Sequence, residues 1–518
     1  MTTTYFIDGT TPIVSSWLND VNATVYTTVP GIIGANGATN VGYTPAGTGA
    51  VATTVSAKLR ETVSVKDFGA VGNGVADDTA AIQRAITYSN SIGGVAIRFP
   101  AGTYYYTNFV VDSSDTAIVG EGWGITILKP QGWIDGIRFA NGYPGANPVV
   151  SNSGVTNLTV DCTDQTAGAN DTYGNGLNFN NCNAFFCRNV QVLKHKQQGI
   201  VSTYFADGYP NQSVGYIINN EVDAFDSVNI IIGVEAQPQG LIISGNRVIN
   251  ARSIYAAGIY VGNATGTAAG GDINITNNII TGTVGTNGVG IKIENTQNRV
   301  LISNNNIYGL GTGIRMQRNT AGALVNNYLV TSNVVQNFTT YGIIAYPIPV
   351  GEDSKTIISD NHVYSDNADT AGYAIYVASK VFVTGNRIAA NSKHGVYVVG
   401  ASSVVSNNYI VNSYSYSIEA NTSTSCVITN NYVGTNIEIA SDTIMFGNIG
   451  NSVPNWNTQY VGVAKIKRNP NGNLAPVSGD WNQGDQVYNT LPISTGYLGW
   501  VCTVTGTPGT WKTFGLIS

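Results

Sequence analysis

One short pattern, apolar-x-x-Asn-x-apolar, recurs between Ile217 and Val433 and limits what this chain can fold into. It begins as Ile217…Asn220…Val222, Ile243…Asn246…Val248 and Ile275…Asn278…Ile280. It continues as Ile302…Asn305…Ile307, Val330…Asn333…Val335 and Ile358…Asn361…Val363. It ends as Val383…Asn386…Ile388, Val405…Asn408…Ile410 and Ile428…Asn431…Val433. Successive asparagines stand 26, 32, 27, 28, 28, 25, 22 and 23 residues apart. A second element falls between them, as Gly258-Ile259-Tyr260-Val261, Gly290-Ile291-Lys292-Ile293, Gly313-Ile314-Arg315-Met316, Gly342-Ile343-Ile344-Ala345 and Gly395-Val396-Tyr397-Val398. Each unit holds short alternating strands with one apolar face, too small to bury that face alone. Stacking the units about 4.8 Å apart buries a continuous core and pairs each strand with the coils above and below. An inward Asn at each corner then hydrogen-bonds to the next coil, which relieves the cost of a buried amide. Alternation, β-branched enrichment and glycine punctuation exclude a helical solenoid. The fold class is therefore all-β, a parallel β-helix.

The flanks read differently. Residues 1–62 are rich in Gly, Thr and Ala and form an extended leader, with a short helix expected at Ser15–Val21. Residues 63–150 form a cap over one end of the solenoid. There Asp77 or Asp78 caps a short helix whose apolar face is Ile82, Ala85 and Ile86. Residues 151–451 are the β-helix body. Residues 452–518, with Trp456, Trp481, Trp500 and Trp511, form a small C-terminal β module, for which trimerisation or carbohydrate binding is an expectation and not a reading of these residues.

Only 10% of residues are charged, against roughly 25% in typical soluble proteins. Asn, Thr, Ser, Gly and 29 Tyr keep the surface wet instead, a composition suited to β-rich extracellular proteins that meet sugars. The net charge is −6 with no basic run, so nucleic acid is not an expected partner. No apolar run approaches the roughly 18 residues of a membrane span. The N-terminus lacks a basic segment followed by an apolar core, so no secretory signal is expected. The five cysteines, Cys162, Cys182, Cys187, Cys426 and Cys502, are odd in number and without C-x-x-C spacing. They read as reduced, buried thiols. A protein made in a cytoplasm and released by lysis fits these features.

Three segments carry a family resemblance. They are Val65-Lys66-Asp67-Phe68-Gly69-Ala70-Val71-Gly72-Asn73-Gly74, Asp77-Asp78-Thr79-Ala80-Ala81-Ile82-Gln83 and Phe99-Pro100-Ala101-Gly102-Thr103-Tyr104. Together they resemble the opening motif of the pectate-lyase-like superfamily of right-handed parallel β-helices. The leader, with Phe6-Ile7-Asp8-Gly9-Thr10-Thr11-Pro12 and Lys58-Leu59-Arg60-Glu61-Thr62, is similar to bacteriophage tail proteins. The segments Gly499-Trp500-Val501-Cys502 and Gly506-Thr507-Pro508-Gly509-Thr510-Trp511-Lys512 are similar to C-terminal modules of such proteins. The resemblance implies a phage tailspike. That means a homotrimer on the virion, joined through its N-terminus to tail or baseplate proteins, acting on a bacterial capsule, O-antigen or exopolysaccharide. It identifies no catalytic motif.

Aligning the coils by their asparagines places candidate chemistry. Counting back from Asn305 puts Ile291 and Ile293 inward, and Lys292 and Glu294 outward. The same offset from Asn246 puts Glu235 outward. Glu235 and Glu294 therefore share one row, with Tyr260 and Gly262 between them leaving a shallow place. Two coil rises are about 9.6 Å, at the upper end of the roughly 6.5–9.5 Å between acid and base in inverting glycosidases. Lys292 and Arg315 can hold an acidic sugar, and Tyr260, Tyr376 and Tyr397 offer stacking faces. Asp223 and Asp226 form a second carboxylate pair. His195, between Lys194 and Lys196, is the candidate base for β-elimination, although a solvated loop is the first explanation of that cluster. Outward glutamates are also ordinary on a solenoid surface. His362 and His394 are isolated, so no metal is expected. Gly69 to Gly74 lack the context of a phosphate cradle, and no cofactor is expected. An endo-acting hydrolase, a polysaccharide lyase and a non-catalytic receptor-binding spike are the readings left open, with a secreted pectinase behind them.

Overall fold

A computed structural model of the chain describes residues 15–518 apart from 30, 32–33, 141–148, 167–173, 204–212, 224–229, 236–237, 252–256, 263–269, 283–287, 295–296, 318–326, 347–354, 367–371, 379, 392–393, 414–415, 424, 440–442, 451–459, 462–463, 466–470 and 479–480. The repeat is a right-handed parallel β-helix with three strands per coil. Among the described residues the first sheet has thirteen parallel strands, from Val110–Val111 to Asn436–Ile439. Its register never slips across the middle coils: Ile259 pairs with Ile291, Ile291 with Ile314 and Ile314 with Ile343. The second sheet runs through Ser213–Ile218, Pro238–Ser244 and Gly270–Thr276, and the third through Glu221–Asp223, Arg247–Ala251 and Ile279–Gly282. The repeated Asn sits at the corner between the second and third.

That corner explains the motif. The residue before each ladder Asn has positive φ, as at Asn219 (56°), Gly245 (69°), Asn304 (56°) and Asp360 (56°), a conformation that Gly, Asn and Asp tolerate best. The turn drives the following Asn into the core, where Asn246, Asn278, Asn305, Asn333 and Asn361 are at most 1% exposed. Each Nδ2 donates to the Oδ1 of the next, at 2.9 Å from Asn246 to Asn278 and from Asn305 to Asn333. The ladder continues to Asn448. Apolar rows of Ile, Val and Leu flank it, and Phe139, Phe179 and Phe185 stack at 4.9 and 4.7 Å in the early coils.

The cap helix spans Thr79–Ser91 and buries Ala81, Ile82, Ala85 and Ile86. Asp77 meets its first turn, accepting from Thr79 N at 2.9 Å. Asp78 is buried and holds the preceding loop instead, accepting from Val71 N and Gly72 N. In the leader, a helix covers Ser15–Ala23. Near the C-terminus, Asn471–Gly472, Gln486–Asn489, Tyr497–Val504 and Thr510–Leu516 form a four-stranded sheet. Trp481, Val487 and Cys502 are its core, while Trp456 lies outside the described residues. All five cysteines are buried and free, as expected. Among the described residues, no helix is long and apolar enough to cross a membrane.

Candidate active site on the first sheet

The outer face of the first sheet collects the candidate side chains, because every coil repeats one local pattern. The outward positions are the residue before the recurring Gly and the second and fourth residues after it: in one coil they are Thr312, Arg315 and Gln317. The register aligns Gly233, Tyr260, Lys292 and Arg315 in one row, which continues through Ile344, Tyr376 and Tyr397 to Glu419 and Glu438. Glu235 and Glu294 lie two residues further along their strands, with Gln317 beside Glu294. The offset count from the asparagines thus agrees with the structure for Glu235, Lys292 and Glu294, and the strand register places Tyr260, Arg315, Tyr376 and Tyr397 in the row of Lys292.

The gap expected between the two glutamates is filled. The Tyr260 ring folds over Gly262, where an added Cβ would stand 2.3 Å from the Tyr260 hydroxyl. That hydroxyl donates to Glu294 Oε2 at 2.9 Å. Lys292 Nζ also lies 2.9 Å from Glu294 Oε2 and sits 5.2 Å from the Tyr260 ring centroid. Gln317 Nε2 donates to Glu294 Oε1 at 2.6 Å. Glu294 is only 6% exposed, so the outward strand position is covered by its neighbours rather than open to solvent. Burial alone would raise its pKa, but the hydrogen bonds from Lys292, Gln317 and Tyr260, with the Lys292 charge, outweigh burial and leave it below the usual value. Burial, and then the Glu294 charge, push the Tyr260 hydroxyl well above the ordinary tyrosine range. Glu235 is half-buried and accepts from Gln198 Nε2 at 3.0 Å.

Beyond this cluster lies an aromatic platform. The Tyr373 and Tyr397 rings stack at 4.7 Å, and Tyr376 meets Tyr373 at 5.5 Å and Tyr397 at 5.4 Å. Tyr341 and Tyr346 extend it toward Arg315, whose guanidinium lies 5.5 Å from the Tyr346 ring centroid. His394 and Tyr416 close the other end. His394 Nδ1 approaches Glu419 Oε2 to 2.9 Å without hydrogen-bond alignment. Only Tyr376 and Tyr397 of this platform were expected. The signal for Tyr341, Tyr373, His394 and Tyr416 was the position immediately before the recurring Gly or its substitute, whereas Tyr346 follows the end of its strand. Asp135 was missed as well. It is buried, accepts from Asn175 and Asn178 Nδ2 at 2.8 Å each, and is raised in pKa by burial.

Asp223 and His195 fall elsewhere. Asp223 lies on the third sheet, away from the glutamates, and Asp226 is outside the described residues. His195 is fully buried, which corrects both the solvated-loop and the surface-base readings. The turn points its ring into the core, where Nδ1 is 3.2 Å from Gln197 O. Burial lowers its pKa to about 4. The unfolded chain, titrating near 6.5, binds more protons than the folded one between those values. Stability is therefore expected to fall by roughly 3 kcal/mol as pH drops through this window. Guanidinium unfolding at pH 7 and pH 4 checks this, and His195→Leu should shrink the difference between the two. Among the described residues, no group of three or more His, Cys, Asp and Glu gathers as a metal site.

The family model for rhamnogalacturonase A/epimerase, pectate lyase-like proteins matches residues 62–346, more than half of the chain. The model for the right-handed β-helix region matches residues 257–436. Mannuronan C5-epimerase AlgE5 of Azotobacter vinelandii is 41% identical over 126 residues, 22% of this chain and 12% of that protein. Alginate lyase 7 of the same organism is 36% identical over 126 residues, 22% of this chain and 14% of that protein. The chain thus spans a small part of these relatives' length. Among solved structures, bacteriophage CBA120 tailspike protein 3 matches with a TM-score of 0.53 and 13% identity over 97% of this chain and 76% of that one. The N-terminal fragment of bacteriophage phi29 gene product 12 matches with a TM-score of 0.54 and 17% identity over 79% and 74%. At these identities the likeness is one of fold.

Proposed function

The chain belongs to the rhamnogalacturonase A/epimerase, pectate lyase-like family, and from that premise we propose that it is an endo-acting enzyme that cleaves a bacterial surface polysaccharide laid along its first sheet. One observation carries the reading: a carboxylate and cation cluster runs directly into a tyrosine platform on a single straight face. From Ile200 to Asn436 that face spans nine coil rises, about 43 Å, long enough for several sugars of one polymer. Sugar rings stack on Tyr373, Tyr376 and Tyr397, while Lys292 and Arg315 receive an acidic group.

The chemistry we assign is hydrolysis. Glu294, kept ionised by Lys292, is the base, and Glu235 is the acid. To take a proton from water, Glu294 must release the Tyr260 hydroxyl, and the Tyr260 ring must leave its place over Gly262 to open the space between the two glutamates, while the Gln317 contact on the other oxygen stays. A second reading, β-elimination, is favoured by the adjacent Lys292 and Arg315 beside Tyr260, a set that can neutralise a uronate carboxylate. The alginate lyase relative supports the same alternative. We further propose that the protein is a phage tailspike carried on the virion through residues 1–62. The leader motifs and the fold likeness to tailspikes support this.

Incubation with capsule and O-antigen preparations from a bacterial panel tests the assignment. Gel filtration should show a shortened polymer from a cognate host without new near-ultraviolet absorbance. Shortening with new absorbance would replace hydrolysis by elimination. Saturable binding without shortening would remove the catalytic assignment and leave a receptor-binding spike.

A further inference from the structure

The outward row that holds both glutamates runs, in register order, through Thr203, Glu235, Gly262, Glu294 and Gln317. Gly262 leaves the middle of that stretch without a side chain, and the ring of Tyr260 lies back into the space from two residues earlier. Its hydroxyl donates to Glu294 Oε2 at 2.9 Å. Lys292 Nζ stands 5.2 Å from the ring centroid and 2.9 Å from the same carboxylate oxygen. One lysine thus faces both the ring and the carboxylate, and its side chain is only 24% exposed. Arg315, its register neighbour, is in the opposite condition, since its buried Nε meets no acceptor. The site therefore holds one cation covered by Tyr260 and Glu294 and a second that lacks an acceptor. Meanwhile the ring fills the interval that a bond under attack must enter.

Given the hydrolytic reading of Glu235 and Glu294, on which this rests, we infer that Tyr260 is a latch opened by an acidic sugar. The sugar's carboxylate replaces the tyrosine ring against Lys292, and the attacking water replaces the hydroxyl on Glu294. The exchange conserves interactions. Lys292 gives up a cation–π contact and gains an ion pair, with Arg315 Nε alongside to share the same anion. Glu294 Oε2 gives up one O–H donor and accepts another from water, while Gln317 holds Oε1 throughout. A ligand shifts a two-state equilibrium only by binding one state better. A carboxylate does so here, because Lys292 is open to it only once the ring has left. A neutral sugar offers Lys292 no replacement for the ring, so most of the complex stays latched even at saturation. Acidity is then required for turnover and not only for affinity. Specificity lies with Tyr260 and Gly262 as much as with the cations they cover.

The test compares the polymer that the full chain cleaves with the same polymer after its carboxyl groups are reduced to alcohols. The native polymer should be turned over with a kcat about 10- to 100-fold higher, roughly the weight of one hydrogen bond to a charged group. Gly262→Ala should narrow that ratio by raising kcat on the reduced polymer. The added Cβ meets only the far end of the Tyr260 side chain, so it unseats the ring without touching the backbone. Tyr260→Phe, which keeps the ring and loses the hydroxyl, should narrow the ratio as well. Equal kcat on the two polymers, with only KM changed, would overturn the latch and leave Lys292 as a binding contact. So would a cognate polymer that carries no acidic group. A ratio that neither variant narrows would also overturn it, as elimination requires, since a reduced polymer is then inert in every variant. Loss of native-polymer cleavage in Tyr260→Phe would make the hydroxyl a reacting group and not a latch. Failure of the wild type to cleave any polymer is a distinct result, which removes the hydrolytic reading and the latch together.

Discussion

Glu235→Gln is expected to lower polymer cleavage by roughly 10²- to 10⁴-fold, the range for removing a positioned acid or base. The substitution keeps size and shape, and its amide can still meet Gln198. Folding and polymer binding should therefore change little, so the loss should fall on kcat. Glu294→Gln is expected to cost at least as much, for an added reason. Without that carboxylate, Lys292 loses its ion-pair partner and the Tyr260 hydroxyl meets an amide in place of a charge. Lys292 would then be free to swing, so both KM and kcat should move. The two variants separate the proposed roles by this split, measured as reducing ends released from the cognate polymer. If Glu235→Gln retained more than a tenth of the wild-type rate, it would not be the acid. Attention would then move to Asp135, whose burial-raised pKa suits a proton donor, and to the Tyr260 cluster.

The solenoid was legible because a coil that cannot bury its own face must repeat its apolar positions, and Ile259, Ile291 and Ile314 do so in strict register. The same register made the outward row legible one coil at a time, which is why Glu235, Lys292 and Glu294 could be placed by counting. What counting cannot supply is the direction of a side chain once it leaves the strand. Tyr260 lies back over Gly262 because that glycine has no Cβ to resist it, and the fold of one ring closed the expected gap. The Lys-His-Lys run looked solvated because its neighbours in sequence are cationic, yet the turn sends His195 beneath Gly199, whose missing Cβ leaves room for Nε2. The tyrosines before the recurring glycine escaped notice for a different reason. That position is Val289 and Thr312 in the earlier coils and becomes aromatic only at Tyr341 and Tyr373.

The ladder gives the largest stability effect. Asn333→Ala is expected to destabilise the protein by about 3–5 kcal/mol. Asn333 is fully buried. Its Oδ1 accepts from Asn305 N at 3.1 Å and Asn305 Nδ2 at 2.9 Å. Its Nδ2 donates to Ile302 O and Asn361 Oδ1, both at 2.9 Å. Alanine removes these four bonds and a fifth, from Nδ2 to Thr331 O at 3.1 Å, and strands the buried Asn305 backbone N–H, and each such orphan costs about 1–3 kcal/mol. Asn305 Nδ2 keeps its bond to Ile275 O, and Asn361 Oδ1 keeps the Asn333 backbone N–H. The loss is therefore smaller than five full penalties. Asn333→Asp should be worse at neutral pH and recover as pH falls, because it adds a buried charge beside acceptors at Ile302 O and Asn361 Oδ1. At the ladder's end the cost should drop. Asn448 is exposed enough for water to replace its bonds to Asn431, so Asn448→Ala should cost about 1 kcal/mol. The guanidinium midpoints of the three variants read this gradient. A loss below about 1 kcal/mol at Asn333 would mean that the apolar rows alone hold adjacent coils in register.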